Sequence, residues 1–373
     1  MTAPQQPGGP RQPGTHAPGT PGLGTHVPGT RLPGSELPGD VPAPVRMYEM
    51  LYSSLVSQLL VAVAELGIAD AIGDEVRHID EIAERTETDP GALYRGLRAL
   101  ASVGVFTEVE PRTFGLTPLA ATLRSDVPGS MRDLARYVGM PERQRSFGSL
   151  AHSLRTGKPS FDEVHGTDWW TYFAAHPELA AVFNSAMSSM SVMVNSGVLD
   201  VYDLSDVRRL VDVGAGRGRL VGALLQRYPL MTAVAYDLPR VVPEAEAVLA
   251  ELGVSDRAEC VGGDFLTSVP EGGDTYVVSW TIHDWDDGDA VAMLRNIRRA
   301  MGHSGQLIVI DEVIPEGDTP HFGKFEDIVM LSLLTGHLRT ESEFVDLFDK
   351  AGFRLKEIRP TRSSTSVIVA VPA

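Results

Sequence analysis

Apolar residues along this chain recur in three regimes, and each regime predicts a different kind of element. Leu51, Leu55, Leu59, Ala62 and Leu66 follow one another at spacings of three and four, which places them on one helical stripe that Gly67 ends. A second helical segment surrounds Ile79 to Ala83. A third opens at Asp89-Pro90, a capping residue followed by proline at the first helical position, and carries Leu93, Leu97, Leu100 and Val103 on one face. Gly104 closes it, and 105–107 with 113–116 read as two short strands. Residues 130–200 read as helical throughout. From Leu210 onward strands and helices alternate: strand at 209–213, helix at 219–228, strand at 233–236, helix at 243–252, then strands ending near Gly263 and at 275–280. Such alternation predicts a parallel sheet with crossover helices. Two β-rich runs, 353–358 and 365–371, close the chain.

The pattern divides 373 residues into four parts. Residues 1–44 hold 11 of the 26 prolines and 9 of the 37 glycines and bury almost nothing, so they read as a disordered tail. Residues 45–125 form a helix–helix–hairpin unit with a winged-helix outline, 126–200 a helical linker and pocket region, and 201–373 the α/β domain. A winged helix invites a DNA-binding reading, but between Asp70 and Arg124 ten acidic residues face six arginines and no lysine. A groove-binding helix needs positive charge, so a packing or dimerisation role is the better reading. The formal net charge of −17 likewise argues against nucleic acid or an anionic membrane as the main ligand. No apolar run approaches the roughly 20 residues that span a bilayer, and no secretory leader pattern precedes the fold. Cys260 is the single cysteine. These features point to the cytoplasm.

The candidate chemistry begins at Asp212-Val213-Gly214-Ala215-Gly216-Arg217-Gly218, where a strand enters a glycine turn and a helix leaves it. Glycines there let a ligand approach the backbone. Dinucleotide enzymes use similar loops, but this one is spaced Gly-x-Gly-x-Gly and has a carboxylate two positions before Gly214. A pyrophosphate does not call for that acid, whereas a sulfonium cofactor with an amino-acid tail tolerates or prefers it. Asp237 ends the second strand about 20 residues later, where a carboxylate grips ribose hydroxyls. Asp264-Phe265 stands at the end of the third strand, placed to meet an adenine amino group and its ring face. Taken singly, these acids equally suit turn or helix caps; their recurrence at three successive strand ends favours a ligand site.

Beyond the fourth strand comes His283-Asp284-Trp285, facing the same crevice. With an ordinary pKa near ~6.5 the histidine is a candidate base, and equally a histidine bonded within a turn. A metal site of His283, Asp284 and Asp287 is disfavoured by the flanking tryptophan and the absence of a second local histidine.

Together Asp212–Gly218, Tyr236-Asp237-Leu238-Pro239, Gly263-Asp264-Phe265 and His283-Asp284-Trp285 stand in an order and spacing that resemble the caffeic-acid-type and acetylserotonin-type O-methyltransferases, whose bacterial members act on antibiotic and pigment scaffolds. The resemblance covers about residues 45–373. It implies a Rossmann-like class I methyltransferase domain behind an α-helical winged-helix dimerisation domain, S-adenosyl-L-methionine as cofactor and a homodimer formed through the N-terminal domain. It implies that His283 is the general base and that Glu312 is the acid orienting it. Asp212, Gly214, Gly216, Asp237, Asp264, Phe265 and Ser279 fall at cofactor positions. Met187, Met190, Met193, Asp284, Met330 and Leu334 fall at positions around a small aromatic or polyketide-like acceptor, although core packing explains methionines equally well. The family often carries a second glutamate just before Arg339-Thr340; this chain has Leu338. That departure keeps open hydroxylation or decarboxylation of a polyketide on the same cofactor and fold. A winged-helix regulator and a nicotinamide dehydrogenase are the other classes, to be separated by DNA retention and by cofactor binding.

Overall fold

The computed structural model describes residues 41–373 apart from Ser304, so the expected tail lies, up to residue 40, outside the described residues; so do the side chains of Val192, Met193 and Ser196. Structure begins with helices Ala43–Tyr52 and Ser54–Glu65, the first starting two residues before the expected boundary. The chain breaks at Ser53, and the buried face of the second helix is Val61, Val63 and Ala64. The stripe read from the sequence points the other way: Leu51 is 70% and Leu55 53% exposed, with Met47, Tyr48 and Tyr52 beside them. Taken as one stretch, Ala43–Glu65 has the length and composition of a membrane span, but the break at Ser53 leaves helices of 10 and 12 residues. Arg46 and Glu49 interrupt it. An apolar face of this size calls for a cover.

The winged unit follows. Helices Ile68–Ile72, Ile79–Thr86 and Pro90–Ser102 pack on a three-stranded antiparallel sheet in which Thr113–Leu116 lies between Arg77–His78 and Phe106–Glu110. The two-residue strand at Arg77 is too short to leave a sequence pattern. Ile68, Ile72, Ile79, Ile82, Leu97, Leu100, Phe106 and Phe114 fill the core. Asp89 caps its helix as its sequence position predicts, accepting from the Ala92 N–H at 2.7 Å. Six helices span 132–201, ending in the 25-residue Pro177–Val201.

The α/β domain is a seven-stranded sheet. Its strands are β1 (Arg209–Val213), β2 (Thr232–Asp237), β3 (Ala258–Gly262), β4 (Thr275–Ser279), β5 (Gln306–Glu312), β6 (Phe353–Pro360) and β7 (Thr365–Pro372). They lie in the order β3-β2-β1-β4-β5-β7-β6. The first five are parallel, and β7 runs antiparallel to both β5 and β6. Buried runs such as Tyr276-Val277-Val278 and Leu307-Ile308-Val309-Ile310 are apolar on both faces because helices cover both sides. The chain starts at β1, travels outward to β3 and returns to β4 beside β1. This reversal opens a crevice at the carboxyl ends of β1 and β4, the usual ligand position in such sheets.

Candidate functional site

The glycine loop leaves β1 in left-handed backbone, with φ of +80° at Gly214 and +53° at Gly216. The Gly214 and Ala215 N–H groups donate to the Tyr236 carbonyl at 2.9 and 3.1 Å, and the Gly216 N–H donates to Asp237 Oδ2 at 2.7 Å. Asp237 Oδ1 accepts from the Leu238 N–H. The acid expected to grip a ribose therefore also shapes the loop. The expected reason for the glycines needs correction at one position. A Cβ on Gly214 would come within 2.8 Å of Thr281 Oγ1, so this glycine serves packing inside the protein; a Cβ on Gly216 would meet nothing within 4 Å, so the open side lies there.

Asp212 is 1% exposed, and its Oδ1 has no hydrogen-bond partner among the described residues. Burial, helped by the charge of Asp237, pushes its carboxyl up to about 7. Burial also raises Asp237 against the bonds from Gly216 and Leu238. Asp264 is exposed, and its Oδ1 accepts from the Leu266 N–H at 2.9 Å, a turn-capping contact. Phe265 meets Trp285 edge-on at 5.5 Å. Half-buried Ser279 ends β4, and its carbonyl accepts from the Thr281 hydroxyl. An orphaned buried carboxylate next to a second acid asks for a cationic donor and would repel a pyrophosphate. These residues fit S-adenosylmethionine, which brings an ammonium and a sulfonium, and do not suit a dinucleotide.

On the other side of the crevice, β4 runs into Trp280, whose φ of +48° is strained for a bulky side chain. Its N–H donates to the Ile310 carbonyl and its indole to Thr365 Oγ1, and these bonds hold the kink. The kink delivers the 3₁₀ turn Ile282–Asp284. His283 Nδ1 donates to Asp311 Oδ1 at 2.8 Å, while Asp284 Oδ1 lies 3.6 Å from Nε2. The expected partner, Glu312, is thus replaced by its neighbour. Successive side chains of a strand face opposite sides, so Asp311 meets the histidine turn and Glu312 turns away. Glu312 is 2% exposed, neither oxygen has a partner in the described hydrogen bonds, and it lies where a Cβ on Gly323 would strike its Oε2.

Burial alone would lower the His283 pKa, but the charge and hydrogen bond of Asp311, with Asp284 and Glu326, override it and push it up to about 10. Burial, only partly offset by His283, raises Asp284 to about 6. Burial, then the charge of nearby Glu312, raises Glu326 to about 8. Buried Leu338 stands where the resemblance implied a second acid, and Glu326, from helix Gly323–Leu333, brings the additional carboxyl instead.

Two supports of the histidine turn carry no sequence signal of their role. Arg339, 1% exposed, donates to the Ile282 carbonyl at 3.2 Å, to the Trp285 carbonyl at 3.1 Å and to Asp287 Oδ1 at 2.9 Å, clamping the turn at both ends. A Cβ on Gly336 would strike the His283 carbonyl, so that segment must pass bare against the turn.

The acceptor candidates divide. Met187 and Leu334 pack against a cluster built on Tyr137, Phe161, Trp169 and Phe173; Met190 and Met330 are half-buried outside it. Met330 lies in the helix that ends at Leu333, and Leu334 is extended beyond it. Met193 lies outside the described side chains. Arg217 of the glycine loop ties this wall to the crevice, donating to Glu244 Oε2 at 2.7 Å and to Ser188 Oγ at 3.3 Å.

Comparison with known proteins places these features in a family. A model described as an O-methyltransferase domain matches residues 147–354, and one described as an O-methyltransferase dimerisation domain matches 48–126. A phenazine O-methyltransferase from Lysobacter antibioticus is 43% identical over 332 residues, covering 89% of this chain and 97% of that protein. CalO1, a methyltransferase of calicheamicin biosynthesis solved with S-adenosylhomocysteine, is 33% identical with a TM-score of 0.82, over 90% of this chain and 100% of that one. NcsB1, an O-methyltransferase of neocarzinostatin biosynthesis solved with S-adenosylmethionine and 2-hydroxy-5-methyl naphthoic acid, is 32% identical with a TM-score of 0.71, over 85% and 96%.

Proposed function

The chain belongs to the S-adenosylmethionine-dependent O-methyltransferases, and from that premise we propose that it methylates a hydroxyl of a small aromatic or polyketide-like metabolite, with His283 as general base, Asp311 as the group that orients it, and a homodimer as the working form. The observation that carries this reading is the His283–Asp311 contact beside a crevice where buried Asp212 Oδ1 has no partner among the described residues. The cofactor supplies an activated methyl group on a sulfonium cation. Gly216, Asp212 and Asp237 would hold its amino-acid and sugar portions, and Asp264, Phe265 and Ser279 its nucleoside end.

The protein's own residues then handle position and proton. An aromatic hydroxyl has a pKa near ~10, far above an ordinary histidine. The acids around His283 favour its protonated form, which narrows that gap and stabilises the imidazolium once the acceptor's proton has moved. Asp311 holds Nδ1–H and leaves Nε2 toward the acceptor, and it stabilises the imidazolium that forms. Arg339 keeps the turn in register, which is where most of the rate should originate, since in-line transfer depends on alignment. The apolar face of Ala43–Glu65 is covered by a second copy in the dimer.

The alternative chemistries, hydroxylation and decarboxylation, are not advanced: the matched family model and the phenazine relative favour methyl transfer. The test is incubation of purified enzyme with S-adenosylmethionine and a hydroxylated polycyclic arene panel. The expected product gains one methyl group, about 14 Da, with one S-adenosylhomocysteine released per product. Cofactor binding without any methylated product across the panel would sink the reading.

A further inference from the structure

Among the described residues two arginines are buried almost completely, and they differ in what surrounds them. Arg339 is fully employed, with a carboxylate and three carbonyls around its guanidinium. Arg143, on helix Pro141–Gly148, is 5% exposed and has one long bond, 3.4 Å from Nη1 to the Tyr137 carbonyl. Among the described residues its Nε has no partner and no carboxylate pairs with it. Aromatic faces are its company: Cζ lies 4.0 Å from the centroid of Tyr137 and 5.4 Å from that of Phe147. Cation–π contacts offset part of the cost of burying a guanidinium but use none of its N–H donors. A buried cation without an anion is an expensive arrangement, and it is normally completed by one.

Its position relates it to the acceptor. Tyr137, under the guanidinium, belongs to the aromatic cluster against which Met187 and Leu334 pack. Burial raises the pKa of the same phenol; the charge of Arg143 opposes the rise, and those of Asp284 and Glu326 add to it. Helix Pro141–Gly148 also packs on Gly323–Leu333, the helix that carries Glu326 and Met330. Tyr137 therefore stands between one unsatisfied cation and the acids around His283.

Resting on the methyltransferase reading above, we propose that Arg143 is an anion-recognising subsite that selects a hydroxyarene bearing a carboxylate. A carboxylate suits the position because its two oxygens match the planar guanidinium fork, and the flanking rings suit a flat aromatic body. The acids around His283 would repel the same group, so Arg143 sets which end of the acceptor meets that histidine.

The test compares 3-hydroxy-2-naphthoate with its uncharged carboxamide, using the full chain saturated with S-adenosylhomocysteine and reading equilibrium affinity by calorimetry. The wild type should bind the acid at least tenfold more tightly than the amide. Arg143→Met should erase that preference, weakening the acid tenfold or more while the amide changes less than threefold; Arg143→Lys, which keeps the charge without the fork, should fall between. Equal affinity of the two probes for the wild type, no binding of the acid, or parallel loss of both in Arg143→Met and Arg143→Lys would overturn the proposal. Titration of S-adenosylhomocysteine alone, with turnover of an uncharged naphthol, reports separately on the parent reading: if both succeed while the acid gains nothing, only the subsite fails.

Discussion

The crevice at the carboxyl ends of β1 and β4 and the aromatic wall beside it are built by different means. The crevice is made largely of backbone: Gly214, Ala215 and Gly216 are held by the Tyr236 carbonyl and Asp237, and the pieces come from adjacent strands in one continuous stretch. The wall is made of side chains drawn from separate segments, with Tyr137 and Arg143 from one part of the chain and Glu326 and Leu334 from another nearly 200 residues on. A backbone site survives most substitutions in its surroundings and keeps one ligand. A side-chain site changes its preference with a single replacement. The difference explains how one cofactor serves many acceptors on this fold.

The two regions meet at His283, so the largest effect is expected there. His283→Ala should lower kcat by at least a thousandfold while S-adenosylhomocysteine affinity, measured calorimetrically, stays within about threefold. Retention of more than a tenth of the rate would mean that alignment alone performs the transfer. The next effect discriminates two neighbouring acids. Asp311→Asn, which cannot stabilise the imidazolium, should cost roughly a hundredfold in kcat with little change in KM. Glu312→Gln should cost less than tenfold, since its carboxylate faces Gly323 and Glu326. A reversal of that order, measured by steady-state kinetics on one acceptor, would return the orienting role to Glu312.

The same contrast accounts for what the amino-acid sequence reveals. Strand–glycine–helix patterns are local, so β1, the loop at Gly214 and the acids at strand ends are legible from residue order alone. The wing and the capped helix at Asp89 are legible for the same reason. The choice between Asp311 and Glu312 is not, because strand alternation makes a shift of one residue a change of face, and the sequence does not mark which face meets the turn. Arg339 and Arg143 are illegible too. Whether a buried arginine is satisfied depends on carbonyls and rings brought from elsewhere, and no spacing rule encodes them. The stripe through Leu51 and Leu55 is real, yet periodicity does not say whether an apolar face is buried in its own chain or exposed for another.

The smallest expected effect tests the crevice's electrostatics by pH. Asp212 has its carboxyl raised to about 7, above an unfolded value near ~3.9, so burial penalises its charged form. The sign follows: the folded state keeps the full contribution of this group below about pH 4, where it is protonated, and loses it progressively as pH rises through 7. Asp212→Asn removes the charge at every pH. Without ligand the variant should therefore melt roughly 3 °C or more above wild type at pH 8, and together with it near pH 4. Saturating S-adenosylhomocysteine should invert the ranking at pH 8, because only the aspartate offers a carboxylate to the ligand's ammonium, and the variant's affinity should fall at least tenfold. Scanning calorimetry with and without ligand at the two pH values measures both. Equal ligand stabilisation of the two proteins would mean that the unpartnered oxygen of Asp212 is not what the crevice uses to hold its cation.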